Sequence, residues 1–210
     1  MKEVLSSHDV SAVVNELKKY IGTRVNNIYD DTNTSKYCIK LDYKINNENK
    51  KVFLILESAK KVYLVDEFTN VRKMPGGFCG KLRKSIKNKR IEKITQINYD
   101  RVIDFQFGTE DYAYHIIIEL YASGNIILTD YNYKILNLLH PHIYNDKAKV
   151  IVGKTYPKEY ATTDIDSYNI TSNQIYEWIN KKIPEQKKKI TLKKFLSYSH
   201  ILHYQFLVLI

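Results

Sequence analysis

The sequence predicts an α+β fold: a mainly antiparallel sheet with two helices set among its strands, followed by the start of a helical domain. Three observations lead there. Strand-length runs recur at turn spacing, and the turns at residues 121–125 and 129–132 join neighbours too closely for crossover helices, which excludes a doubly wound sheet. Two stretches, one near the N-terminus and one after Pro75, carry apolar residues at helical rather than alternating spacing. A polar connector at 156–169 then separates this region from a tail whose apolar period is again helical.

Ser6 and Asp9 stand in capping-box spacing, and Val10, Val13, Val14, Leu17 and Ile21 share one face until Gly22 ends the first helix. Strands are expected at 24–29, 37–45, 51–57 and 61–65, divided by Asp, Asn, Thr and Ser clusters, with 46–50 as a polar hairpin tip. Pro75 and the Gly76-Gly77 pair break the chain before the second helix. There Phe78, Cys79, Leu82 and Ile86 fall on an arc of roughly 100°, and Lys81, Arg83, Lys84, Lys87 and Arg90 take the rest of the circumference. This is the pattern of a helix docked on a core with a cationic outer face. Strands follow at 91–97, 101–107, 112–121, 125–131 and 134–139; residues 115–120 are almost continuously apolar, the mark of a strand covered on both faces.

Around His140-Pro141-His142 the pattern loosens. The first domain is expected over 1–165 and the truncated second over 170–210, where Ile175, Trp178, Ile179 and Ile183 make one helical stripe and Leu192, Phe195 and Leu196 another. Residues 206–210 are too apolar for a solvated tail, so the chain is expected to end inside a helix whose partners lie in a longer protein.

Charge is the strongest functional signal. The chain of 210 residues carries a formal +10, and 44% apolar with 27% charged residues is ordinary globular usage. Between Arg72 and Lys93 nine basic residues face one acid, a local +8, and the tract from Lys181 to Lys194 adds +6, so the remainder sums to −4. So local a field best matches a phosphate polymer, with Arg72, Lys73, Lys81, Arg83, Lys84, Lys87, Lys89 and Arg90 as candidate contacts. Arginine suits bidentate phosphate contacts and lysine supplies sequence-independent attraction. A merely solvated basic face is the alternative.

Other chemistries fit poorly. Two cysteines, Cys38 and Cys79, on different elements signal neither a disulfide framework nor a metal motif, and a reducing compartment is expected. No signal-like N-terminus or membrane-length apolar run appears, so a soluble chain without membrane association is expected. A phosphate-loop reading of Gly76 to Lys81 fails, because its first glycine would fall on Pro75 and Leu82 stands where Ser or Thr is needed. His115, His140, His142, His200 and His203 make no metal set, no Ser/His/Asp arrangement stands out, and no cofactor is expected.

The strings Asn98-Tyr99-Asp100-Arg101-Val102-Ile103-Asp104-Phe105-Gln106-Phe107-Gly108, Tyr114-His115-Ile116-Ile117-Ile118-Glu119-Leu120-Tyr121 and Gly124-Asn125-Ile126-Ile127-Leu128-Thr129-Asp130 closely resemble the NFACT N-terminal domain. The resemblance extends over Arg24 to Asp30, Leu56-Glu57-Ser58 and the basic helix; 171–210 resembles the start of the family's helix-hairpin-helix-bearing domain. That family includes NEMF, the bacterial RqcH proteins and proteins once called fibronectin-binding protein A. The resemblance implies an antiparallel β-sandwich with two flanking helices, similar to formamidopyrimidine-type DNA glycosylases. The amine nucleophile of those enzymes is missing, because the chain begins Met1-Lys2-Glu3 and has no proline before Pro75.

It further implies a cytoplasmic, non-enzymatic, RNA-binding module of ribosome-associated quality control. Such factors bind the large ribosomal subunit with its stalled peptidyl-tRNA and recruit tRNA for untemplated tailing of the nascent chain. They also help seat a Listerin-type ubiquitin ligase, here through regions mostly outside this chain. Asp9, Asp100 and Arg101 match the family's tRNA-recruiting residues. The structural alternative for these three is a helix cap and a turn closed by a salt bridge. A protein-interaction or adhesion module without specific RNA binding is the alternative for the whole.

Overall fold

The computed structural model describes residues 4–32, 36–45, 48–98, 100–143 and 149–158. The expected helical domain, its basic tract and the connector before it from residue 159 on lie outside the described residues.

Helix α1, Ser7–Leu17, starts as its sequence dictates. The Ser6 hydroxyl accepts from the Asp9 amide at 3.3 Å, and the Asp9 carboxylate accepts from the Ser6 amide and hydroxyl at 2.6 Å each, which satisfies orphan donors of the first turn. Val10, Val14 and Leu17 are buried. Ile21 departs from expectation at 42% exposed, because the α-helix closes at Leu17 and a 3-10 turn, Lys18–Tyr20, changes the phase of the stripe.

Two antiparallel meanders follow. The first holds β1 (Arg24–Asp30), β2 (Lys36–Ile45), β3 (Glu48–Glu57) and β4 (Lys61–Val65) in chain order. Then comes α2, Gly77–Ile86. The second holds β5 (Ile91–Gln96), β6 (Val102–Phe107), β7 (Tyr114–Glu119), β8 (Asn125–Asp130) and β9 (Ile135–Leu138). The hairpin of β2 and β3 is tighter than expected, since β3 already begins at Glu48. The seventh strand is shorter than expected, because Glu110–Tyr112 is a 3-10 turn. A small hairpin, β10 (His142–Ile143) with β11 (Lys149–Val150), escapes sequence reading because two-residue strands carry no period.

One core joins both sheets and both helices: Ile28, Ile39 and Leu54 from the first sheet meet Phe105, Ile116 and Leu128 from the second, with Val10 and Leu82 from the helices. The sheets meet along a backbone seam in which residues 22–25 pair with 88–91: Gly22 donates to the Ile91 carbonyl at 2.7 Å, and Val25 to that of Lys89 at 2.9 Å. Strand β7 is covered on both faces, as its apolar run requires. Ile116 and Ile118 point into the shared core, and Ile117 into a second cluster with Val102, Ile127, Val150 and Tyr156. Each such isoleucine contributes about 1.5–3 kcal/mol of burial.

The outer face of the second sheet also buries polar groups in pairs. Asp104 takes the His115 Nδ1 at 2.9 Å and the Tyr133 hydroxyl at 2.8 Å. Glu119 accepts from the Tyr156 hydroxyl at 3.0 Å, and Asn125 binds the His140 backbone through both ends of its amide. Among the described residues no group of three ligating side chains could hold a metal ion. Cys38 and Cys79 are free and buried, and burial pushes both thiols up to about 12, which leaves them inert as nucleophiles. No helix of the described residues is long and apolar enough to cross a membrane.

Burial also raises the Glu119 carboxyl above its ordinary range, against the opposing effects of His142, Tyr156, Tyr121 and Asn125. The folded chain therefore holds this proton more tightly than the unfolded chain. The penalty for the charged form is absent below the unfolded carboxylate range and grows as pH rises through the folded pKa. Glu119→Gln keeps an acceptor for Tyr156. Its melting temperature relative to the parent should become more favourable from about pH 4 to about pH 8; a flat or opposite trend in thermal scans would refute this.

Two hairpin tips interlock at Gly124, whose φ of +68° puts it in the left-handed region. A Cβ there would overlap the Ala59 amide and stand 2.5 Å from the Ser58 Oγ, so the tip between β7 and β8 approaches that between β3 and β4 more closely than any side chain permits. Gly124→Ala is expected to cost at least about 3 kcal/mol, strain and overlap together. Gly153→Ala, at φ +85° with nothing within 4 Å, should cost only about 1–2 kcal/mol. Comparing the two melting temperatures checks the interlock.

Candidate nucleic-acid interface

The basic helix is seated by both ends of its chemistry. Cys79, Leu82 and Ile86 are buried in the shared core, and Phe78 meets Tyr37 edge-on at 5.2 Å between ring centroids. At its start, Gly76 is the N-cap and donates its amide to the Asp30 Oδ2 at 3.0 Å. A Cβ on Gly76 would lie 3.0 Å from that oxygen. The buried Asp30 carboxylate thus occupies the positive end of the helix dipole, and Arg72 pairs with it at 3.5 Å. Sequence reading missed Asp30, since a carboxylate at a strand end, 46 residues from the helix it caps, has no local signature.

The eight expected cations divide into two sets. Arg83, expected on the outer face, turns inward: its Nε donates to the Ile28 carbonyl at 2.6 Å, and the guanidinium lies 5.6 Å from the Tyr29 ring centroid. Arg90 donates to the Gly22 carbonyl at 2.6 Å, and Lys89 to the Tyr112 carbonyl at 2.8 Å while lying over Tyr114. With Arg72 held by Asp30, these four tie the basic segment to the fold. Lys73, Lys81, Lys84 and Lys87 are exposed, and no described residue pairs with their ammonium groups. They form the part of the field that a ligand meets without breaking a native bond.

Asp9, Asp100 and Arg101 lie on two segments that the fold brings to one edge. The turn from β5 to β6 is tight: Asp100 donates to the Ile97 carbonyl at 3.0 Å, and Ile97 to that of Val102 at 2.9 Å. The Asp100 Oδ1 accepts the Arg101 amide at 2.7 Å. No ion pair joins Asp100 to Arg101 among the described residues, so the turn is not closed by the salt bridge of the structural alternative. Arg101 is half-buried, and its guanidinium has no hydrogen bond or ion pair among the described residues. Asp9 does cap its helix. The Gln96 amide links the two segments, donating to the Ser7 carbonyl and to the Asp100 carbonyl at 2.9 Å each.

Two antiparallel meanders on one core, with two helices leading into their seam strands, define an α+β domain of the kind seen in the N-terminal domain of fibronectin-binding protein PavA from Streptococcus pneumoniae. That structure superposes with a TM-score of 0.63 over 91% of this chain and 81% of that one, at 17% identity. The chain belongs to the NFACT family: the model of its N-terminal and middle domains matches residues 6–203. It is 41% identical over 161 residues to the ribosome quality control complex subunit NEMF homolog of Drosophila melanogaster, covering 77% of this chain and 16% of that protein. The human ribosome quality control complex subunit NEMF is 40% identical over 163 residues, covering 77% and 15%. Subunit 2 of the Saccharomyces cerevisiae complex is 27% identical over 208 residues, covering 94% and 20%. This chain therefore spans about a sixth of the length of the first two relatives.

Reversing the four free lysines, Lys73, Lys81, Lys84 and Lys87, to Glu should leave the fold standing, since exposed substitutions typically cost within about 0.5 kcal/mol each. Affinity for tRNA should fall, and its log–log salt slope should become shallower by about three. Arg83→Ala should do the reverse, lowering melting temperature through loss of its part-buried bond to the Ile28 carbonyl, worth about 1–3 kcal/mol. A four-lysine variant that binds tRNA as before would remove this face from the interface.

Proposed function

We propose that this chain is the tRNA-binding part of a ribosome-associated quality control factor, acting in the cytoplasm on large ribosomal subunits that still hold a stalled peptidyl-tRNA. It recruits tRNA for untemplated C-terminal tailing of the nascent chain. Support for the ribosomal setting comes from the relatives, which are named as subunits of the ribosome quality control complex. The observation that carries the RNA reading is the set of exposed lysines, Lys73, Lys81, Lys84 and Lys87, that no described residue pairs with.

In this reading the lysines neutralise phosphates without regard to sequence. Selectivity falls to the edge bearing Asp100 and Arg101. A half-buried guanidinium with no partner among the described residues can fork onto a phosphate or stack on an unpaired base. With its Oδ1 on the Arg101 amide, Asp100 keeps its Oδ2 to accept from a ribose hydroxyl or base edge. The chain is a binding module and not an enzyme; peptide-bond formation belongs to the ribosome. Contact with a Listerin-type ligase is made mostly through regions beyond this chain.

The test is Asp100→Ala with Arg101→Ala in the full-length protein. Melting temperature, co-sedimentation with large subunits carrying peptidyl-tRNA, and tail synthesis are each measured. The expected result is tail synthesis lowered by at least about tenfold, the equivalent of one lost interaction of roughly 1.4 kcal/mol, with subunit binding and melting temperature kept. Unchanged tail synthesis sinks the recruiting role, and a large fall in melting temperature returns the pair to a structural one.

A further inference from the structure

Gln96 ends β5 and belongs to none of the charge or turn patterns that mark this edge. Its side-chain nitrogen has two protons, and the fold uses both: one goes to the Ser7 carbonyl in the first turn of α1, the other to the Asp100 carbonyl in the turn from β5 to β6, each at 2.9 Å. Both partners are backbone carbonyls, which only accept, so the orientation of the amide is forced. The bonds span 89 residues in one direction and four in the other. One carboxamide therefore sets the spacing between the helix start that carries Asp9 and the turn that carries Asp100 and Arg101.

Packing alone does not fix that spacing. Val10, Val14 and Leu17 bury α1 against the core, but apolar burial is non-directional, whereas two hydrogen bonds from one planar group define distance and direction together. The bond to Asp100 is solvent-exposed and that to Ser7 only part-buried, so water can replace the donor at both carbonyls. The fold does not need this amide to satisfy its backbone. The geometry of the edge does.

We infer that Gln96 is a positioning residue that holds Asp9 and the Asp100–Arg101 pair at the separation at which a single tRNA engages both. The inference rests on the reading of those three residues as the tRNA-recruiting site. It assigns Gln96 no contact with tRNA.

The experiment uses the full-length protein with Gln96→Met, which keeps side-chain length and removes both donors. It is made alone and together with Arg101→Ala, with Arg101→Ala alone as the reference. Melting temperature, co-sedimentation with large subunits carrying peptidyl-tRNA, tail synthesis, and affinity of the subunit-bound protein for labelled total aminoacyl-tRNA are measured. Gln96→Met is expected to lower tail synthesis by about 10- to 100-fold, as a misplacement of about 1 Å does. Subunit binding should persist and melting temperature should stay within about 2 °C. Its effect on tRNA affinity should largely vanish in the Arg101→Ala background, because residues acting as one unit are not additive. Parental tail synthesis in Gln96→Met while Arg101→Ala loses it overturns the inference and leaves the site standing. Parental behaviour of Arg101→Ala overturns the site and the inference with it. A Gln96→Met loss that adds in full to that of Arg101→Ala, or that comes with a matching fall in melting temperature, overturns positioning in favour of a plain structural role.

Discussion

Both helices and the candidate sites of this domain hang from the backbone seam where residues 22–25 pair with 88–91. Four hydrogen bonds of 2.7–3.0 Å join two meanders about 65 residues apart, and each helix runs directly into one seam strand: α1 into β1, α2 into β5. Closing the loop between such distant segments costs entropy that local contacts do not repay. The shared core offsets that cost. Once the seam is closed, α2 is seated between Asp30 at its start and Ile28 along its flank, and α1 is laid beside β5 and the turn that follows it.

The seam also explains how the basic segment divides its charges. A corner between two sheets leaves carbonyls, such as those of Gly22 and Ile28, that no strand neighbour satisfies, and a buried acceptor without a donor is expensive. A guanidinium offers several donors in a rigid plane and reaches such acceptors while staying half in solvent. Arg83 and Arg90 take these places, and Arg72 takes the carboxylate at the helix start. Lys89 reaches the Tyr112 carbonyl, and the other lysines of the set, Lys73, Lys81, Lys84 and Lys87, compact charges on flexible stems, remain outside. High net charge in this segment therefore serves two purposes, and half of the eight expected cations are open to a ligand.

The second sheet is reinforced from outside by polar pairs that are easily mistaken for a site. Asp104 with His115 and Tyr133, and Glu119 with Tyr156, combine residue types that elsewhere move protons. Here they sit on the face that carries the cluster of Ile117, Ile135, Val150 and Tyr156, and the His115 Nδ1 and the Tyr133 and Tyr156 hydroxyls are each matched to a carboxylate oxygen. Their place on the outer face of the strand that the core already covers from inside makes them fasteners of the cover.

Among the described residues, the sequence by itself determined the two α-helices, nine of the eleven strands, the antiparallel pairing within each meander and the doubly covered β7, because all of these follow from local periodicity and turn length. It also exposed the basic segment and, through matched strings, the family. Only the tertiary structure decided which described strands share a sheet, in groups of four, five and two, that Arg83 faces inward, that Asp30 caps a helix 46 residues away, and that Gln96 bridges α1 to the turn at Asp100. These depend on which distant segments share the core. A side chain's local pattern states that it is charged or polar; which carbonyl, carboxylate or solvent it meets is settled only when the seam closes.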